Sequence, residues 1–136
     1  MSQTIVYTGK VHTTGGREGA SRSSDGELDI RLSTPGSTRP GTNPEQLFGA
    51  GWSACFLGAL GKAATERQLH LPVDAAVDAE IDLALDEEGY SLVARLDVTL
   101  PGIGHEVGEA LAARAHQLCP YSKATRGNIA VDIHVN

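Results

Sequence analysis

Asn43-Pro44-Glu45-Gln46-Leu47-Phe48-Gly49-Ala50-Gly51-Trp52-Ser53-Ala54-Cys55-Phe56 is the stretch on which the fold turns. An asparagine side chain accepts from the orphan amides of a first helical turn, and a proline at the first helical position gives up no hydrogen bond, so a helix starts here. Apolar residues cover most of its circumference from Leu47 to Leu60, which predicts a central, buried helix reaching about Gln68. Gly49, Gly51, Gly58 and Gly61 interrupt it, each at about 1 kcal/mol relative to alanine. Close packing of other backbone or side chains against the helix is the expected compensation.

Upstream, Tyr7 to Thr13 has strand character, Gly15-Gly16-Arg17-Glu18-Gly19 interrupts it, and Asp25-Gly26 turns the chain into the alternating Leu28-Asp29-Ile30-Arg31-Leu32. This predicts an N-terminal antiparallel meander. Ser33 to Thr42, with Pro35, Gly36, Pro40 and Gly41, is a loop. Downstream, Val73, Ala75, Val77, Ala79, Ile81, Leu83 and Leu85 face one way, while Asp74, Asp78, Glu80, Asp82 and Asp86 face the other. A strand with one wet, acidic face follows, and Glu88-Gly89 turns it into a second strand through Leu92, Ala94, Leu96, Val98 and Leu100. Val107, Leu111, Ala115 and Leu118 recur at helical spacing, and Ile129, Val131, Ile133 and Val135 alternate in a last strand. The order β-β-β-α-β-β-α-β gives a single α+β domain over residues 1–136, with helices packed on antiparallel sheets.

The chain carries 17 acidic and 11 basic residues, a net charge of −6, and its basic residues form no run or stripe, which argues against nucleic acid as a partner. No apolar run approaches the ~18 residues of a membrane span, and Met1-Ser2-Gln3-Thr4-Ile5-Val6-Tyr7 lacks the basic and apolar regions of a secretory signal. A soluble cytoplasmic protein is the expectation. With only 4% aromatic residues, the core must be filled by Leu, Val, Ile and Ala, and a dimer interface would supply further burial.

Cys55 and Cys119 are the only cysteines, far apart in sequence, and in a reducing cytosol such a pair is more often catalytic, sensing or simply buried than a structural disulfide. Cys55 by itself reads best as a small core residue, and burial would make it inert unless a cation lies close. Glu45 stands about 15 Å before it along the helix axis. Its carboxylate either complements the positive helix N-terminus or holds an arginine that reaches the thiol. Arg17 and Arg22 are the candidates. Gly15, Gly16 and Gly19 free the backbone around Arg17 to bring it inward, although either arginine also reads as a solvated charge. Cys119 precedes Pro120 and fits the N-cap of a short helix reaching about Asn128, where the dipole favours thiolate; a buried cysteine at a helix junction fits as well. His116 precedes Cys119 by three positions, and His12, His70, His105 and His134 are scattered, so no metal-ligand spacing emerges. Gly51-Trp52-Ser53-Ala54-Cys55 lacks the second glycine of a serine nucleophile elbow, and the Gly15–Gly19 cluster matches no phosphate-binding fingerprint.

Thr14-Gly15-Gly16-Arg17, Ser23-Ser24-Asp25-Gly26, Gly41 to Phe48, Ala54-Cys55-Phe56 and Ala115 to Asn128 together resemble the organic hydroperoxide resistance proteins, the thiol peroxidase branch of the OsmC-like family. The likeness runs across essentially the whole chain. It implies an OsmC-like fold, with antiparallel sheets around the central helix, and an intertwined homodimer with active sites at the subunit interface. It also implies that Cys55 is the peroxidatic thiol, that Cys119 resolves its sulfenic acid into a disulfide, that Arg17 activates the thiolate and that Glu45 orients Arg17. It implies further that organic hydroperoxides become alcohols without metal, haem or bound cofactor, and that lipoyl groups on dehydrogenase-complex proteins restore the dithiol, a role in oxidative stress defence. Trp52 stands where such proteins commonly carry tyrosine, and the Ser33 to Thr42 loop is short. The rival from another class is a non-enzymatic redox sensor or apolar-ligand binder on the same dimer; a general OsmC-type peroxidase is the closer alternative, against which Cys119-Pro120-Tyr121-Ser122 argues.

Overall fold

Asn43 caps the long helix as its chemistry requires, its Oδ1 accepting the Gln46 amide at 2.8 Å. Pro44 is the first residue of α1 (Pro44–Glu66). The computed structural model describes residues 2–136. They form two compact units that divide between Leu47 and Phe48.

The first unit holds strands β1 (Val11–Thr14), β2 (Ala20–Ser23) and β3 (Asp29–Arg31) in one antiparallel sheet, ordered β1-β2-β3. The predicted first strand therefore starts late, and Ile5, Val6 and Tyr7 are exposed ahead of it. Between β2 and β3, the Ser23 hydroxyl donates to Asp25 Oδ1 at 2.6 Å, the Glu27 amide donates to the same oxygen at 3.0 Å, and Gly26 takes a φ of 78°. These bonds make the Asp25-Gly26 turn.

The β1–β2 connection is tighter. Gly15 and Gly16 have φ of 76° and 59°, left-handed conformations that glycine adopts without penalty, and Gly16–Glu18 forms a single 3-10 turn carrying Arg17. A Cβ on Gly19 would collide with the Thr14 carbonyl, a backbone group that cannot yield without opening the hairpin. Gly19→Ala is therefore expected to destabilise the protein by about 1–3 kcal/mol, the usual range for overpacking, and chemical denaturation checks it.

The second unit contains the rest of α1 with β4 (Ala76–Asp86), β5 (Gly89–Thr99), α2 (His105–Leu118), α3 (Pro120–Thr125) and β6 (Val131–Val135). β4 and β5 pair antiparallel over their full length, while β6 lies parallel to β5. The second sheet is thus mixed. A parallel neighbour needs a crossover of about a dozen residues or more, and α2 and α3 provide it. Val73, expected on the apolar face of β4, is instead fully exposed in a turn closed by the Ala75 amide on the Pro72 carbonyl at 3.1 Å. The acidic face is wet as expected, with Arg95 bridging Glu80 and Asp82 across the strands.

Trp52, Phe56, Ala59, Leu60, Ala63 and Ala64 form the buried stripe of α1, recurring at helical spacing and packed with Leu96, Val98, Leu111, Ala115 and Cys119 into one core. Gly49 permits close approach there: a Cβ on it would touch Ile81 Cγ1 at 3.4 Å. The other side of α1 carries Ala50, Ala54 and Gly58, exposed in the single chain. The helix stops at Glu66, before the expected Gln68, because Gln68 takes a φ of 60° and leaves the helical region.

Candidate active site

Arg17 and Glu45 meet in the first unit. The Arg17 guanidinium donates from Nη1 to Glu45 Oε1 at 2.9 Å and from Nη2 to Oε2 at 2.7 Å, a bidentate pair of planar groups. The glycine-bounded 3-10 turn supplies the arginine and the first turn of α1 supplies the carboxylate. Hydrogen bonding to Arg17 holds the Glu45 carboxyl below the usual carboxylate range, against a smaller opposing effect of burial. Arg22, the alternative arginine, lies exposed on β2 opposite His12 and Asp29.

Cys55 and Cys119 meet in the second unit. α1 carries Cys55 one turn beyond Trp52, half-buried. Cys119 is fully buried at the elbow between α2 and α3, ending one helix and capping the next, with extended backbone at φ −66° and ψ 122°. Both thiols are free and lie close enough to perturb each other. Burial pushes the Cys55 thiol up; the Tyr121 backbone N–H, directed at its sulfur, draws it down; the neighbouring Cys119 thiol adds to the rise.

Three contacts seat α3, none of which any residue pattern in the sequence announced. The indole Nε1–H of Trp52 donates to Ser122 Oγ at 3.2 Å, with both side chains fully buried. The Tyr121 ring lies over Gly51, where a Cβ would stand 2.6 Å from its hydroxyl oxygen, so the glycine is needed for this approach. Arg126 donates to the His116 carbonyl, satisfying one of the orphan acceptors at the end of α2. Phe48 completes an aromatic frame, edge-on to Trp52 at 5.5 Å and 6.0 Å from Tyr121. His116 is partly buried, and its imidazole pKa is pushed down by that burial and by the Arg126 charge. Among the described residues, no group of three or more His, Cys, Asp or Glu side chains is placed to hold a metal ion.

A partly open thiol beside a buried one, with an amide aimed at the first, is an arrangement suited to two-electron thiol chemistry. The family model described as OsmC-like protein matches residues 34–134, about three-quarters of the chain. The chain belongs to the OsmC-like family. Among OsmC-like relatives, it is 44% identical to the organic hydroperoxide resistance protein of Xanthomonas axonopodis pv. citri, covering 95% of this chain and 94% of the relative. It is 45% identical to the organic hydroperoxide resistance protein OhrA of Bacillus subtilis, covering 99% of both. The crystal structure of the organic hydroperoxide resistance protein OhrB of Bacillus subtilis superposes with a TM-score of 0.92 at 39% identity, covering 97% of this chain and all of that one. The α+β architecture is therefore the OsmC-like fold, and the resemblance first carried by the cysteine segments is to the organic hydroperoxide resistance branch. No helix among the described residues is long and apolar enough to cross a membrane.

Proposed function

We propose that this OsmC-like protein is a cysteine peroxidase that reduces organic hydroperoxides to alcohols, in defence against oxidative stress. The observation that carries the reading is the meeting of the Cys55 and Cys119 thiols, one half-open and the other fully buried. The Cys55 thiolate attacks the terminal peroxide oxygen; the O–O bond breaks, the alcohol leaves with a proton, and the sulfur becomes a sulfenic acid. The Cys119 thiol then displaces water from that sulfenic acid, and the two sulfurs share a disulfide. An external dithiol, of which lipoyl groups are the expected form, donates two electrons and two protons to restore both thiols. Arg17, held by Glu45, supplies the cation that favours the Cys55 thiolate. No bound cofactor or metal enters this cycle.

The chain acts as one domain and works as a homodimer in the cytoplasm. Exposed Ile5, Val6, Tyr7, Val11, Leu83, Leu85 and Tyr90, with the uncovered Ala50, Ala54 and Gly58 on α1, support burial against a second copy. Phe48, Phe56 and Leu57, apolar neighbours of Cys55 along α1, favour a bulky organic peroxide over hydrogen peroxide.

The test supplies an alkyl hydroperoxide to the reduced protein and counts thiols by mass spectrometry, then adds excess dihydrolipoamide and measures alcohol. Loss of two thiols per chain followed by steady alcohol production is expected. A single oxidation with no turnover would make the protein a sensor, and survival of both thiols would sink the proposal.

A further inference from the structure

We propose that Trp52 is a positioning residue for disulfide formation, acting through Ser122 on Cys119. The assignment rests on the peroxidase reading of the two cysteines. α3 spans only Pro120–Thr125, too short to hold a place by its own helical stability, yet its N-cap is the cysteine that must close on Cys55. Its position has to come from contacts.

Among the described residues, the buried side-chain hydrogen bond that crosses from α1 to α3 is that of Trp52 to Ser122, 3.2 Å long between two fully buried side chains. Its ends are in register with the cysteines. Trp52 lies one helical turn before Cys55, on the same side of α1 by i,i+3 spacing. Ser122 is the third residue of α3, the position whose side chain neighbours that of the N-cap, Cys119. The bond therefore runs beside the sulfur pair and fixes one cysteine's carrier against the other's.

The Tyr121–Gly51 and Arg126–His116 contacts of α3 lie open to water. Tyr121 is 38% exposed over Gly51, and Arg126 is exposed where it reaches the His116 carbonyl. An indole N–H is a donor only, so Trp52 can be satisfied here solely by an acceptor, and a drift of α3 strands that donor in the core. Phe48, edge-on to the indole at 5.5 Å, resists a compensating rotation of the ring. Disulfide closure demands sulfurs about 2.05 Å apart with narrowly set Cα and Cβ vectors, so a small drift at the elbow is felt in this step. Attack on peroxide by Cys55 draws on α3 only through the Tyr121 amide and sets no such demand on the Cys119 vectors.

The experiment compares the parent with Trp52→Phe, Ser122→Ala and the double variant. Each reduced protein receives a stoichiometric alkyl hydroperoxide together with a sulfenic acid trap, and mass spectrometry partitions the product between disulfide and trapped sulfenic acid. Stopped-flow mixing follows the first step separately. Each single variant should raise the ratio of trapped sulfenic acid to disulfide about tenfold or more, while the first step, which feels α3 only through the Tyr121 amide, slows by clearly less, because misplacement by an ångström costs an oriented reaction up to about a hundredfold. The double variant should be no worse than either single, since both remove one bond. An unmoved partition would deny Trp52 and Ser122 any part in the closure, and additive effects would mean that the two residues act separately; either result overturns the assignment. Ser122→Ala removes a single oxygen and keeps the question open to measurement if Trp52→Phe folds poorly. If the parent itself gives neither disulfide nor sulfenic acid, the peroxidase reading fails and takes this assignment with it, whereas a normal parent with unmoved variants fails the assignment alone.

Discussion

Cys55→Ser is expected to abolish hydroperoxide reduction, and Cys119→Ser to complete one first step per chain and then stall. A serine hydroxyl remains protonated at neutral pH and is a poor nucleophile toward peroxide oxygen, whereas a thiolate is a strong one. Cys119 is a different case: it is fully buried and takes no part in breaking the O–O bond under the proposed scheme. Its loss leaves Cys55 as a sulfenic acid that excess peroxide carries to sulfinic acid. Intact-protein mass spectrometry reads this as a gain of one oxygen atom and then two, in place of the loss of two hydrogens that marks the parent's disulfide. Because a serine hydroxyl sits badly in the apolar site of Cys119, Cys119→Ala should be run beside it. Steady turnover by either Cys119 variant would remove the resolving role, and retained activity in Cys55→Ser would remove the peroxidatic one.

How much of this was legible in the residues varies with the range of the interaction. Asn43-Pro44 announced the start of α1 because capping is a local matter between neighbours on the chain, and the Asn43–Gln46 bond is that local chemistry. Period-two alternation announced β4 and β5 for the same reason. It misread Val73, since a turn at Pro72 sets the start of pairing and alternation does not see it. The parallel setting of β6 follows from the crossover through α2 and α3, which no single strand encodes. At the site, the glycines around Arg17 and the carboxylate opening α1 singled out a pair that forms two hydrogen bonds. The Tyr121 amide at Cys55 was invisible, because every residue but proline carries such a donor and only the elbow at Cys119 aims this one. Trp52 stands out in the sequence only as a departure from a family pattern, because its partner lies 70 residues away.

Arg17→Ala should slow the first oxidation of Cys55 at neutral pH by about tenfold or more and move its pH profile to the alkaline side. Burial and the Cys119 thiol both raise the pKa of Cys55, and the Tyr121 amide opposes them. A cation set against the sulfur, the role proposed for Arg17, lowers it further; removing that cation raises it, shrinks the thiolate fraction below the pKa and leaves the rate at high pH least affected. Glu45→Gln keeps one acceptor oxygen for the guanidinium and should give a smaller loss. Stability follows a different rule. The Glu45 carboxyl titrates below its unfolded value, so whatever the Arg17–Glu45 pair contributes is present above the ordinary carboxylate range and is lost as pH falls through the lowered value. With Arg17 41% exposed, that contribution is about 0–1 kcal/mol after solvent screening, and both variants should melt within a few degrees of the parent at neutral pH. A large kinetic loss beside a small change in melting separates an activating arginine from a structural one. A first-step rate for Arg17→Ala within about twofold of the parent across the pH range would assign the bidentate pair to holding the Gly15–Gly19 turn on α1 and return the activation of Cys55 to the Tyr121 amide alone.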